Sequence, residues 1–367
     1  MSSRRANKSK DIKVVDLFCG VGGLTHGLIL EGLDVVAGVD NDVSCQFAFE
    51  QNNSSKFIYK DVSKFSSKEL EKLYGDAPVK VLVGCAPCQP FSAISKSKAI
   101  GKDDDRNRWA PLYRFIKLIQ DTKPDVVSME NVPDLCNTKK YPVFADFLKS
   151  LSVAGYNVSY KVVDVSRYGV PQKRRRMVLL ASRLGEISLI PETHDKTNVV
   201  TVRETIGHLE NLKDGEVHKL DVLHRSSKLS EMNKKRIIAT PKNGGSAKSW
   251  SDDLMPDCFK RDSGKSYMTT VYGRMRWDDA SPTITTHCTT LGAGRYGHPK
   301  QNRAISLREA ALLQSFPEYY QFDPPEKISM VKTARHIGNA VPVQLGRVIG
   351  ESIKRHIETH RATARRK

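Results

Sequence analysis

The stretch that most constrains this chain is Val79-Lys80-Val81-Leu82-Val83, an apolar, β-branched run closed by Gly84. Such a run, bounded by turn residues, suits a short strand buried on both faces of a sheet. Cys85-Ala86-Pro87-Cys88-Gln89-Pro90-Phe91-Ser92 follows at once. Each proline fixes its own φ and pushes its predecessor toward extended geometry, so Cys88 stands in a stiff turn at a strand's C-terminal end. In open α/β sheets that edge is where ligands bind. Cys85 and Cys88 also form a C-x-x-C pair, which elsewhere marks a redox couple or half a zinc site. A zinc site needs a second pair of ligands, and Cys19, Cys45, Cys136, Cys258 and Cys288 are single and scattered. No metal is expected. Cys88 reads as a nucleophile, with a buried inert thiol as the plain alternative.

Further apolar runs lie at 12–18, 33–39, 58–59, 125–129, 156–165 and 177–181, with helical stretches between them at 24–31, 43–51, 67–74, 109–120 and 144–154. Cys19-Gly20-Val21-Gly22-Gly23 links the first strand to the first helix, the opening of a nucleotide-binding βαβ unit. Its spacing, G-x-G-G, does not meet the dinucleotide fingerprint. Asp40-Asn41-Asp42 closes the second strand. A carboxylate there suits a ribose diol or a helix cap, and Asp40 and Asp42 are expected to divide these roles. Asp61 is placed to accept from an exocyclic amine or to cap a turn. Glu130 follows the fifth strand, where an acid at a buried sheet edge reads as a working group. Residues 93–108 form a polar loop, either plain surface or a lid. Lys173-Arg174-Arg175-Arg176 enters the last strand, and alternation sends Arg174 and Arg176 to one side.

From about residue 200 the alternation stops, and an irregular region of short strands and turns is expected. A helix is expected at 307–314, a turn at 335–342 and a final helix at 343–357. Across the whole chain of 367 residues, 59 Lys and Arg outweigh 41 Asp and Glu, a net charge of +18, so a polyanionic partner is expected. Basic ends account for part of this excess. No apolar stretch has membrane-spanning length, and the first residues do not form a secretory signal. Seven cysteines without framework spacing point to a reducing cytosol.

Taken in order, these segments resemble the cytosine-C5 DNA methyltransferase family of the bacterial restriction–modification type. The resemblance rests on Asp16-Leu17-Phe18-Cys19-Gly20-Val21-Gly22-Gly23, the acid after strand two, Asp61, Ala86 to Ser92, Glu130-Asn131-Val132, Gln172 to Arg176, Arg308-Glu309 and Gly338-Asn339-Ala340-Val341-Pro342-Val343. It departs at Cys85-Ala86, where a Gly-Pro or Gly-Phe type pair is common, and replacement of Cys85 by alanine is expected to be tolerated. The resemblance implies an α/β fold, a Rossmann-like S-adenosylmethionine-dependent sheet with helices on both faces, plus a smaller irregular mostly-β target-recognition domain. The catalytic part would be 12–200 with 331–358 and the recognition part 201–330, between basic ends at 1–11 and 359–367. It implies a cytosine flipped out of duplex DNA, a covalent bond from Cys88 to carbon 6, and methyl transfer to carbon 5. Glu130 would act at ring N3, with Arg176 and secondarily Arg174 holding the base. S-adenosylmethionine would lie along Phe18, Cys19, Gly20, Gly22, Gly23, Asp40, Asn41, Asp61, Val62, Pro87, Asn339 and Val341. Gln89, Ser92, Gln172, Arg295 and Arg303 are candidates for DNA contact, as are Thr283, Thr285 and Thr286, for which a Thr-rich strand is an equal reading. A cytoplasmic monomer acting on double-stranded DNA is expected, shielding it from a cognate restriction endonuclease. The alternatives are a tRNA methyltransferase of the same family and an inactive DNA-binding regulator.

Overall fold

The computed structural model describes residues 11–87, 104–260 and 266–364. The chain divides into two compact units. The first comprises Met1–Asp164, Arg175–Glu192 and Val343–Lys367, and the second Val165–Arg174 and Thr193–Pro342. The divisions therefore fall at 192/193 and 342/343, where 200/201 and 330/331 were expected. The later one moves because Met330–Asn339 is a helix, where a turn was expected from 335, and it packs on the helix Leu307–Leu313 within the second unit.

The first unit is built on β1 (Ile12–Leu17), β2 (Asp34–Asp40), β3 (Lys56–Tyr59), β4 (Val79–Gly84), β5 (Val126–Asn131), β6 (Asn157–Asp164) and β7 (Arg175–Ser182). Their spatial order is β3-β2-β1-β4-β5-β7-β6. All neighbours are parallel except β7, which runs antiparallel to β5 and β6. Strand order reverses between β1 and β4, and such a switch point opens a crevice at the strands' C-terminal ends. The run 79–83 is a strand because both its faces find partners. Leu82 packs with Val15, Leu17, Val127, Met129 and Leu179 against apolar residues of α3 (Ser67–Tyr74), α4 (Asp104–Thr122) and α5 (Pro142–Val153). Val81 and Val83 point the other way and are equally buried.

On that second side α1 (Gly23–Leu30) crosses the last helix, Val343–Ala364, at a point where neither carries a side chain. A Cβ at Gly27 would meet Val343 O at 2.4 Å, and one at Gly346 would meet Leu24 O at 2.9 Å. Two expected boundaries change. The last helix runs on past 357, and α4 starts at Asp104, inside what was expected to be loop.

The second unit is irregular, as expected, but its strands are not found among the described residues. It contains short helices and isolated bridges, Gln172 to Ser281 and Gly297 to both Arg274 and Ala304 among them. Its apolar packing includes Trp250 with Leu254 and Phe259, Ile237 with Leu229 and Leu291, and the rings of Phe316, Tyr320 and Phe322. Buried arginines also bind its loops. Arg274 is wholly buried and donates to the carbonyls of Ile237, Thr240, His298 and Gln301. Burial draws its guanidinium down to about 10. No helix among the described residues is long and apolar enough to cross a membrane.

Candidate active site

The ends of β1, β2, β3 and β4 form one edge of the first unit. After β1 the backbone turns at once: Phe18 takes a left-handed φ of 59°, followed by Gly20 at 51° and Gly22 at 85°, the N-cap of α1. A non-glycine residue at positive φ is strained and needs a reason. Here Phe18 N donates to Val39 O at 2.8 Å, tying the turn to β2. Asp40 completes the tie, accepting from Gly20 N and from Asp42 N, each at 2.8 Å. Asp42 caps the short helix Val43–Cys45, so the division of labour expected for these two acids holds for the cap. Asp61 caps the turn Val62–Lys64, accepting from Ser63 N. Val62 is buried beside it, and Asn41 and Pro87 are exposed at the edge. Cys19 is buried, and burial pushes its thiol well up, so it is inert.

Asp16, at the head of the stretch Asp16-Leu17-Phe18-Cys19-Gly20, was not singled out as a site residue. It is 1% exposed, and Thr25 Oγ1 donates to its Oδ2 at 2.7 Å. Its other oxygen, Oδ1, is buried with no hydrogen-bond partner. Burial drives its carboxyl up to about 7, the Thr25 bond pulling against it. A buried acceptor left without a partner is costly to fold around.

At the ends of β4 and β5 lies the second cluster. Glu130 is 3% exposed, and both of its oxygens are held. Arg176 Nε, from the start of β7, pairs with Oε1 at 2.9 Å. Cys85 Sγ donates to Oε2 at 2.7 Å. The neighbouring Asn131, equally buried and also missed as a site residue, donates from Nδ2 to Ala86 O at 3.0 Å. The β5 end thus grips the turn after β4 by two side chains, just before Cys88. Cys88, Gln89 and Ser92 lie outside the described residues.

Four expected site residues are engaged within the second unit. Arg174 is buried, with its guanidinium on Ile284 O and Gly338 O. Gln172 is wholly buried. Its amide donates to Leu313 O and Gln314 Oε1, and its oxygen accepts from Ile284 N. Arg303 is also wholly buried, in a two-pronged pair with Glu309 at 2.8 and 2.7 Å. The expected DNA contacts through Gln172 and Arg303 are therefore corrected, because both side chains are enclosed and spent on protein partners. Arg295 is corrected in part. It lines a surface cleft, yet its guanidinium is occupied by the carbonyls of Thr269, Gly244 and Arg274. Thr283 and Thr285 also bond inside the unit, to Lys173 O and the Tyr296 hydroxyl. The cleft measures about 390 Å³, and Lys173, Arg276 and Asp279 line it with Arg295. Arg276 is exposed there and carried no sequence signal. Asn339 and Val341 belong to the second unit, Asn339 exposed and Val341 buried.

An open sheet of this order, with a glycine turn after β1 and acids after β2 and β3, is the Rossmann-like fold of S-adenosylmethionine-dependent methyltransferases. The chain belongs to the C-5 cytosine-specific DNA methylase family, whose model matches residues 12–355, and is a DNA cytosine-C5 methyltransferase. It is 50% identical over 345 residues to the Type II methylase M.HgiDII of Herpetosiphon aurantiacus, covering 94% of this chain and 96% of that one. It is 29% identical to the Type II methyltransferase M1.HphI of Haemophilus parahaemolyticus, over 92% of this chain and 86% of that one. In fold it is similar to a prophage-encoded E. coli protein (TM-score 0.71, 22% identity, 95% of this chain and 99% of that one). It is also similar to the Dnmt2 methyltransferase of S. pombe (TM-score 0.60, 16% identity, 93% and 98%).

Proposed function

We propose that this enzyme methylates carbon 5 of a flipped-out cytosine in a specific duplex DNA sequence, with Cys88 as nucleophile and S-adenosylmethionine as methyl donor. The observation that carries the reading is the grip of Glu130 and Asn131 on the turn Cys85-Ala86-Pro87. It links the acid directly to the turn that leads into Cys88. Carbon 5 of cytosine is a poor nucleophile. Addition of the Cys88 sulfur to carbon 6 converts the ring into an enamine, and sulfur is both a strong nucleophile and a good later leaving group. Glu130 binds or protonates ring N3, so that negative charge does not build up as sulfur adds. Arg176 holds Glu130 in place and stabilises the anions of the site. The donor, when bound, supplies an electrophilic methyl group. Its ribose hydroxyls would suit Asp40 at the end of β2. Transfer of the carbon 5 proton to a base then expels the sulfur as a thiolate and restores the ring double bond.

This chemistry needs the base out of the stack, at a cost of about a few kcal/mol. The second unit acts as the reader of the duplex. The cleft bearing Lys173 and Arg276 is the part of it suited to base edges, since arginine pairs with guanine in the major groove. Membership of the DNA methylase family supports DNA over tRNA as substrate, and likeness to two Type II methyltransferases supports protection of DNA from a cognate restriction endonuclease.

Duplex DNA carrying 5-fluorocytosine at the target position should trap a covalent adduct on Cys88, mapped by peptide mass spectrometry. Cys88→Ala should abolish turnover and keep DNA binding. An adduct on Cys85, or methyl transfer to tRNA with none to duplex DNA, would refute the proposal.

A further inference from the structure

Glu130 sits between two donors of very different strength. Arg176 Nε holds Oε1 at 2.9 Å and brings a full charge. Cys85 Sγ holds Oε2 at 2.7 Å and brings a weak thiol dipole. The last side-chain torsion of glutamate is broad, so a carboxylate gripped at one oxygen can still turn about its own axis. A second grip from a different strand fixes its plane. The two grips come from the start of β7 and from the turn after β4, and Asn131 locks that same turn through Ala86 O.

A second cation would fix the plane as well, but would add charge beside the ion pair with Arg176. A thiol orients the group without adding charge. We infer that Cys85 is a positioning residue for methyl transfer: its thiol sets the plane of the Glu130 carboxyl and couples it to the turn leading into Cys88. This rests on the role proposed for Glu130. It reverses the expectation that Cys85 is dispensable, which came from reading Cys85 only as a possible rival nucleophile.

The test uses the full-length enzyme, a duplex oligonucleotide substrate and labelled S-adenosylmethionine, under single-turnover and steady-state conditions. Cys85→Ala is expected to lower the methyl-transfer rate about tenfold, about 1.4 kcal/mol, with KM for DNA within about twofold of wild type. Cys85→Ser, which keeps a donor, should recover most of that loss. In a Glu130→Ala background, Cys85→Ala should add nothing, because a positioning residue has no effect once its target is gone. A merely structural cysteine would lower Tm in both variants and show neither serine rescue nor coupling to Glu130. A wild-type rate for Cys85→Ala beside an impaired Glu130→Ala overturns the inference alone. A wild-type rate for Glu130→Ala removes the acid and the inference with it. A loss from Cys85→Ala that persists undiminished without Glu130 also overturns it.

Discussion

Replacing Arg303 by methionine separates a pillar from a DNA contact. Arg303 is fully enclosed, and its guanidinium meets Glu309 twice, Gln301 Oε1 at 2.8 Å and Ala304 O at 3.0 Å. Glu309 in turn closes the capping box of the helix Leu307–Leu313 with Ser306. Burial alone would push the Glu309 carboxyl up, but the bonds and charge of Arg303, helped by His298, override it and hold the group near 2. Methionine fills the space and leaves a buried carboxylate unpaired. Breaking such a pair from one side costs about 3–5 kcal/mol. For a unit of this size each kcal/mol shifts Tm by about 2–4 °C, so the transition of the second unit should fall by about 6–20 °C. Thermal denaturation followed by circular dichroism, with DNA affinity measured by fluorescence anisotropy well below the transition, reads both quantities. Glu309→Gln in the same chain should recover part of the loss, since a neutral amide tolerates burial. A variant that keeps its stability within about 1 kcal/mol but loses DNA affinity would show Arg303 to be a DNA contact and not a pillar of the fold.

The same cluster sets an acid limit. Burial lowers His298 from 6.5 to about 4, and its Nδ1 accepts from Lys300 N and Gln301 N, leaving the proton on Nε2. A depressed folded value means that its stabilisation is complete above pH 6.5 and is lost as pH falls toward 4. The loss is about 3 kcal/mol, visible in denaturant melts across that range, and a flat profile would contradict it. Asp16 has the opposite sign. Its value rises from 3.8 to about 7 on folding, so the first unit loses stability as pH climbs between those values. Asp16→Asn should therefore hold or raise Tm at pH 8 in thermal melts, and a clear fall in Tm there would contradict the sign. Gly27→Ala forces a Cβ into the backbone of the last helix and should cost about 1–3 kcal/mol, more than Gly346→Ala, whose approach is wider. Equal melting of both variants would contradict the close crossing.

The sheet of the first unit could be read from sequence because most of its strands are dense apolar runs, several with a candidate functional residue at or just past the C-terminal end. Leu82 and Gly84 lead to Cys85, and Val127 and Met129 lead to Glu130. The second unit could not be read in this way. Its loops are bound by Arg274, Arg303 and Gln172, and arginine and glutamine at no fixed period look like surface or ligand contacts until their burial is known. Asp16 escaped notice for the converse reason: it sits inside an apolar run, where the strand pattern hides a single acid. Thr283 looked equally suited to a base or a strand, and the structure has it bonded to Lys173 O.

The crossing of α1 with the last helix sets a condition on how the enzyme is made. Glu31 and Arg347 are paired across 316 residues of chain. While a ribosome is still translating the second unit, α1 has already emerged, and Leu24 and Leu28 still lack the helix they pack beneath. A domain whose closing element is so distant pays its loop entropy late and folds slowly. The nascent first unit needs either time or a chaperone to guard that face. Chains cut short anywhere before residue 343 lack the closing helix, so a translation error yields a protein without a finished first unit, not a methyltransferase with altered specificity.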